Sequence, residues 1–163
     1  MEPRILRAYE QATRVLPLQL RQEALHLLQV DQGRAEELRL RRGQPLTVLL
    51  PEGERPLSRE PVTGRDLEQL LELASRASVH TVLPQLRQGY LTIEGGHRVG
   101  LCGTAVLRDG EITNLRDLSS AAVRVARQGL GAAEPEWDRL TGPGGRLEST
   151  LILAPPGAGK TTL

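Results

Sequence analysis

The chain has 163 residues, 39% of them hydrophobic and 25% charged, with 21 basic and 20 acidic side chains and a formal charge of +1. That balance, with two tyrosines, one tryptophan and no phenylalanine, excludes nucleic-acid binding driven by bulk charge and leaves no aromatic platform for stacking bases. The lone Cys102 excludes an internal disulfide, no apolar run approaches the roughly 18 residues of a membrane span, and Met1-Glu2-Pro3-Arg4 opens no signal core. The expectation is a cytoplasmic protein with an aliphatic core, no transmembrane segment and no direct nucleic-acid partner.

In chain order, apolar residues recur at helical spacing, first at Ile5, Tyr9, Ala12 and Leu16, then at Leu20, Ala24, Leu27 and Leu28. This predicts two amphipathic helices broken near Pro17, since proline fits a first turn and not a helix interior. From Glu37 the period becomes two: Leu38 and Leu40 alternate with Arg39 and Arg41, the chain turns at Gly43-Gln44-Pro45, and Leu46 to Leu50 follow, which reads as a β-hairpin. Pro51 to Pro61, rich in proline, glycine and charge, reads as a loop. Thr63-Gly-Arg-Asp66 has the form of a capping box and predicts a helix over 64–76 with Leu67, Leu70, Leu71 and Ala74 on one face.

Val79, Val82, Leu83 and Leu86 predict a second short helix ending at Gly89, although Pro84 opposes a helix interior there. Residues 90–127 read as a meander: Tyr90 to Ile93, a turn at Glu94-Gly95-Gly96, His97 to Leu107, a turn at Asp109-Gly110, Glu111 to Leu115, then Ala121 to Ala126. Alternation puts Val123, Val125 and Arg127 on one face of the last strand and Arg124 and Ala126 on the other. The organisation is therefore helices over 1–35, an α/β domain with an antiparallel sheet over 36–140, a flexible linker over 141–148 that marks a domain boundary, and a strand with its following loop over 149–163.

The chemistry lies in that last piece. An apolar run, Ser149 to Ala154, leads into Pro155-Pro156-Gly157-Ala158-Gly159-Lys160-Thr161-Thr162, the phosphate-binding loop pattern with Ala154 at the position where a first glycine is usual. Gly157 and Gly159 let backbone N–H groups turn inward around a triphosphate, Lys160 suits the β- and γ-phosphates of ATP, and the Thr161 hydroxyl suits Mg²⁺. The nucleotide-binding set is thus Ala154, Pro155, Pro156, Gly157, Ala158, Gly159, Lys160, Thr161 and Thr162, with Lys160 the catalytic side chain. The sequence stops at Leu163, before the further strands and acidic residue such a core needs, so the expectation is the N-terminal portion of a longer ATPase with a truncated RecA-like core.

Glu37-Leu-Arg-Leu-Arg41, Gly43-Gln-Pro-Leu46, Ala74-Ser-Arg76 with Ser78-Val79, Leu86-Arg-Gln-Gly-Tyr90, Gly95-Gly-His-Arg-Val-Gly-Leu-Cys-Gly103, Leu115-Arg-Asp-Leu-Ser-Ser120 and Arg124-Val-Ala-Arg127 together resemble the stage III sporulation protein AA family. The resemblance runs from about residue 36 to the loop, and Gly95 to Gly100 is its most specific stretch. It implies a mother-cell ATPase of endospore-forming bacteria, similar to the motor ATPases of type II and type IV secretion. Such a motor forms a ring, expected to be a homo-hexamer, that energises a channel between mother cell and forespore and works with the channel's membrane proteins. It also implies that Arg124 or Arg127 senses the γ-phosphate, whereas the residues themselves favour sheet-surface arginines.

The remaining polar residues have plainer readings. Arg39, Arg41 and Arg42 read as a solvated edge sooner than a phosphate-binding stripe. His97 and Cys102 lack partners for a zinc set, and His26 and His80 read as packing or surface residues. Ser119-Ser120 after Asp117 has no nucleophile elbow around it and reads as a turn or cap. An alternative from another class is a non-catalytic interaction module carrying a vestigial loop.

Overall fold

A computed structural model describes residues 3–75, 84–126, 134–142 and 145–155. Their contacts separate into two compact units, residues 1–126 and 127–163.

In the first unit, α1 (Pro3–Thr13) and α2 (Leu18–Leu25) are separated at Pro17, which sits at extended dihedrals just before α2. Tyr9, Ala12, Leu20 and Ala24 are buried, as the helical spacing predicts. The Tyr9 hydroxyl donates to the Ala24 carbonyl at 2.9 Å, tying the two helices together, and burial pushes the Tyr9 phenol well above its ordinary range. A single further turn, α3 (Gln29–Gln32), follows; it carries Asp31, which Arg55 meets at 2.6 Å.

The predicted hairpin is β1 (Glu37–Arg41) and β2 (Pro45–Leu50), paired antiparallel. The segment read as a loop is instead a strand, β3 (Gly53–Pro61), paired with β2. Its prolines are compatible with pairing because β3 is the outer strand of the sheet, where an unmade ladder bond costs nothing. Where the register slips between Pro45 and Thr47, the Ser58 hydroxyl accepts the Leu46 N–H at 2.9 Å.

Helix α4 (Gly64–Ala74) has the predicted capping box, with Asp66 N–H donating to Thr63 Oγ1 at 3.3 Å and Thr63 N–H to Asp66 Oδ2 at 2.8 Å. Leu67, Leu70, Leu71 and Ala74 are buried as predicted. Most of the predicted second helix, residues 76–83, lies outside the described residues; 84–86 form a helical turn, and Gly89 follows in the left-handed region at φ +80°.

Next come β4 (Tyr90–Thr92), a 3-10 turn at Glu94–Gly96, β5 (Arg98–Arg108) and β6 (Glu111–Arg124). Asp109 and Gly110, with φ of 53° and 80°, make the hairpin turn predicted from Asp-Gly. The two strands expected over Glu111 to Leu115 and Ala121 to Ala126 are one. The intervening residues form a bulge, in which Gly103 of β5 faces residues 117–119 of β6 between the pairs Cys102↔Ser120 and Thr104↔Arg116. A Cβ on Gly103 would lie 2.7 Å from the Arg116 carbonyl, so the close approach requires glycine.

All six strands form one antiparallel sheet in the order β3-β2-β1-β6-β5-β4. Leu38, Leu40, Leu46, Val48, Val99 and Val123 fill one face and join the buried residues of the helices in a single core. The architecture is the expected mixture of helices and antiparallel sheet. Among the described residues no helix is long and apolar enough to cross a membrane.

In the second unit, a 3-10 turn at Glu134–Glu136 leads into the one-turn helix α5 (Trp137–Leu140). Within the segment read as a flexible linker, Thr141 and Leu147 form an isolated antiparallel bridge, and Glu148 N–H donates to the Leu140 carbonyl at 2.9 Å. Residues 149–154, expected to be a buried strand, are not one: Leu151 and Leu153 are 81% and 84% exposed. A strand needs neighbours for its backbone groups, and none pairs with this run among the described residues.

Candidate functional site

The loop singled out by sequence is described only at its start, where Ala154 is half-buried and Pro155 exposed. Pro156, Gly157, Ala158, Gly159, Lys160, Thr161 and Thr162 lie outside the described residues, as does Arg127. By residue type alone, the glycines, Lys160 and the Thr161 hydroxyl would suit a triphosphate with Mg²⁺, the ligand expected from the sequence.

Arg124 ends β6 with its side chain exposed, across from Glu37 on β1 and Arg98 on β5 in the Cα register. It makes no ion pair among the described residues. Its neighbour Arg98 stacks over the Tyr90 ring at 4.8 Å from the centroid.

The arginines of β1 are not on an edge, because β1 lies inside the sheet between β2 and β6. Alternation nevertheless leaves Arg39 and Arg41 on the face opposite the core, where carboxylates neutralise them. Arg39 Nε donates to Glu37 at 2.6 Å and its Nη1 to Glu54 Oε2 at 2.7 Å, while Arg41 donates to both oxygens of Glu54, through Nη1 to Oε1 and through Nη2 to Oε2 at 3.2 Å. Thr47 adds a hydroxyl bond to Glu54 at 2.6 Å. The Arg41 and Thr47 bonds, then that from Arg39, hold the Glu54 carboxyl down at about 2. With both guanidinium groups satisfied, a phosphate would have to displace Glu54, so this stripe is a structural network. It borders a hollow of ≈ 250 Å³ floored by Gly100, Ser120 and Ala122, with Cys102 exposed at its rim.

Arg42 instead lines a separate cleft of ≈ 510 Å³ with Arg65, Glu68 and Asp117, at the start of α4. The helix N-terminus there is already occupied by Asp66 through the capping box. Ser119, read as a turn or cap residue, lies in β6 and donates across to the Cys102 carbonyl at 3.3 Å. His26 is exposed after α2, and His80 lies outside the described residues.

His97 is fully buried, and its Nδ1 accepts the Ala126 N–H at 2.9 Å. Nε2 must then carry the ring proton, yet it is buried without a partner among the described residues, a deficit of about 1–3 kcal/mol in general terms. Burial lowers the His97 pKa, favouring the neutral ring. Spacing alone gave no sign of this contact, whose partners are 29 residues apart.

The described residues thus form a helix-and-sheet unit, and the sequence after it carries the phosphate-loop pattern. The sequence model described as "Sporulation stage III, protein AA" matches residues 6–163, and the chain belongs to that family. Within it, stage III sporulation protein AA of Bacillus subtilis (strain 168) is 40% identical over 128 residues, covering 78% of this chain and 41% of the relative. The chain thus spans less than half the length of that curated relative. Among solved structures, the X-ray structure of the Yersinia pseudotuberculosis ATPase DotB aligns with a TM-score of 0.36 and 17% identity, over 57% of this chain and 26% of that chain.

Proposed function

We propose that this chain supplies the phosphate-binding loop of an ATP-hydrolysing motor serving a sporulation channel. The observation that carries the reading is the run Gly157-Ala-Gly-Lys-Thr-Thr162 directly after an apolar segment, in a member of a sporulation family. In this reading the loop from Ala154 to Thr162 wraps the phosphates, Lys160 neutralises the terminal ones and Thr161 holds Mg²⁺. The whole protein works as a homo-oligomeric ring, with six subunits expected, at the mother-cell side of the channel membrane and against the channel's membrane proteins. Arg124 or Arg127 senses the γ-phosphate.

The test is Mg²⁺-ATP turnover by the full-length protein. Lys160→Ala is expected to reduce it to background with the circular dichroism unchanged; unimpaired turnover refutes the assignment. For the sensor, Arg124→Ala or Arg127→Ala should slow turnover while leaving ADP affinity in place, since a positioned arginine contributes about 10³–10⁵ in rate in other phosphoryl-transfer systems. Wild-type turnover in both variants removes that role.

The alternative is an interaction module with a vestigial loop. Absence of Mg²⁺-ATP binding by the full-length protein, with partner binding intact, is the result that selects it.

A further inference from the structure

We propose that His97 is a positioning residue that fixes the end of β6, holding the backbone of Ala126 where the first compact unit ends. The ladder of β6 with β1 ends at Glu37↔Arg124. Val125 N–H is still taken by a backbone group, the Glu36 carbonyl at 2.9 Å, but the next amide, that of Ala126, is taken by a side chain. Ala126 is also the last residue of the first unit. The histidine therefore extends the fixed part of the strand by one residue, up to the boundary.

The ring is held so that it can do this. Its carbonyl accepts the Ile93 N–H at 2.9 Å, anchoring it across the tight turn of Glu94–Gly96. Gly95 lies close to the ring: a Cβ there would come within 2.7 Å of Nε2 and 3.0 Å of Gln11 Oε1. Packing from the turn and from α1 thus sets the ring orientation, and among the described residues no second hydrogen bond shares the task. A residue present only to fill space would be better served by an aliphatic side chain, which has no N–H to leave unpartnered. The Nδ1 bond to Ala126 is what an imidazole supplies and leucine cannot.

The inference does not depend on nucleotide chemistry and is read directly by residue-resolved amide exchange on the protein. His97→Ala should speed exchange of the Ala126 amide about tenfold relative to Val123, inside the ladder, since one hydrogen bond is lost locally. Asparagine places its carbonyl oxygen near the Nδ1 position and glutamine reaches instead toward Nε2. His97→Asn is therefore expected to keep Ala126 protected, and His97→Gln to lose that protection. Should His97→Ala fail to fold, the Asn and Gln variants decide the matter alone. Equal Ala126 protection in Asn and Gln variants, or acceleration at Ala126 no greater than at Val123, overturns the proposal.

Discussion

Replacing Gly95 by alanine tests the packing around His97, with Gly96→Ala as its built-in control. Both glycines have left-handed dihedrals, φ +85° and +77°, but a Cβ on Gly96 would meet nothing within 4 Å. At Gly96 only backbone strain remains; left-handed strain of about 1–2 kcal/mol, partly offset by the stiffer unfolded chain, leaves a cost of about 1 kcal/mol. At Gly95 the same strain is joined by a collision. Gln11 is half-buried and can swing aside, but His97 is fully buried and bound to Ala126. Forcing the ring away adds overpacking and the lost hydrogen bond, for a total of about 3–5 kcal/mol. Urea denaturation reads the difference as a lower midpoint at constant m. In the Gly95→Ala, His97→Ala double variant the collision is absent, so the two costs should be less than additive. Equal losses at Gly95 and Gly96, or strict additivity in the double variant, refute the reasoning.

Thr63→Ala should cost about 1 kcal/mol through loss of the α4 cap; because Thr63 and Asp66 cap reciprocally, Asp66→Ala added to it should cost clearly less than it does alone, as denaturation midpoints will show. Glu54 sits near 2 when folded against an ordinary 4.5, so its contribution is complete above pH 4.5 and is lost as pH falls from 4.5 towards 2. Glu54→Gln should lower the urea midpoint at neutral pH and flatten its fall across that acid window; an unchanged fall removes Glu54 as its cause.

Signals confined to a few neighbouring residues were legible in the sequence. The Thr63 to Asp66 cap, the Asp109-Gly110 turn and the break at Pro17 are fixed by dihedral preferences and contacts within about four positions, and each element stands where the sequence puts it. Alternation in β1 likewise separated core leucines from outward arginines, because side-chain direction follows from the strand itself. The pattern from Ala154 to Thr162 is likewise a local signal, a set of residue types suited to phosphate and Mg²⁺, and its assignment to ATP is the proposal made above.

What depended on distant partners was not legible. The proline, glycine and charge of residues 51–61 read as a loop, and only the sheet's edge, with β2 as neighbour on one side, makes a strand of 53–61. The pairing of β1 with β6 joins residues far apart in the chain, from Glu37↔Arg124 to Arg41↔Ser120, and turns an apparent edge into an interior strand. Glu54 reaches Arg39 and Arg41 only once three strands are aligned, and His97 meets Ala126 only when the turn, β5 and the end of β6 converge. The run Leu151 to Leu153 makes the same point in reverse: its apolar character is local, but a strand forms only where another strand takes up its backbone hydrogen bonds.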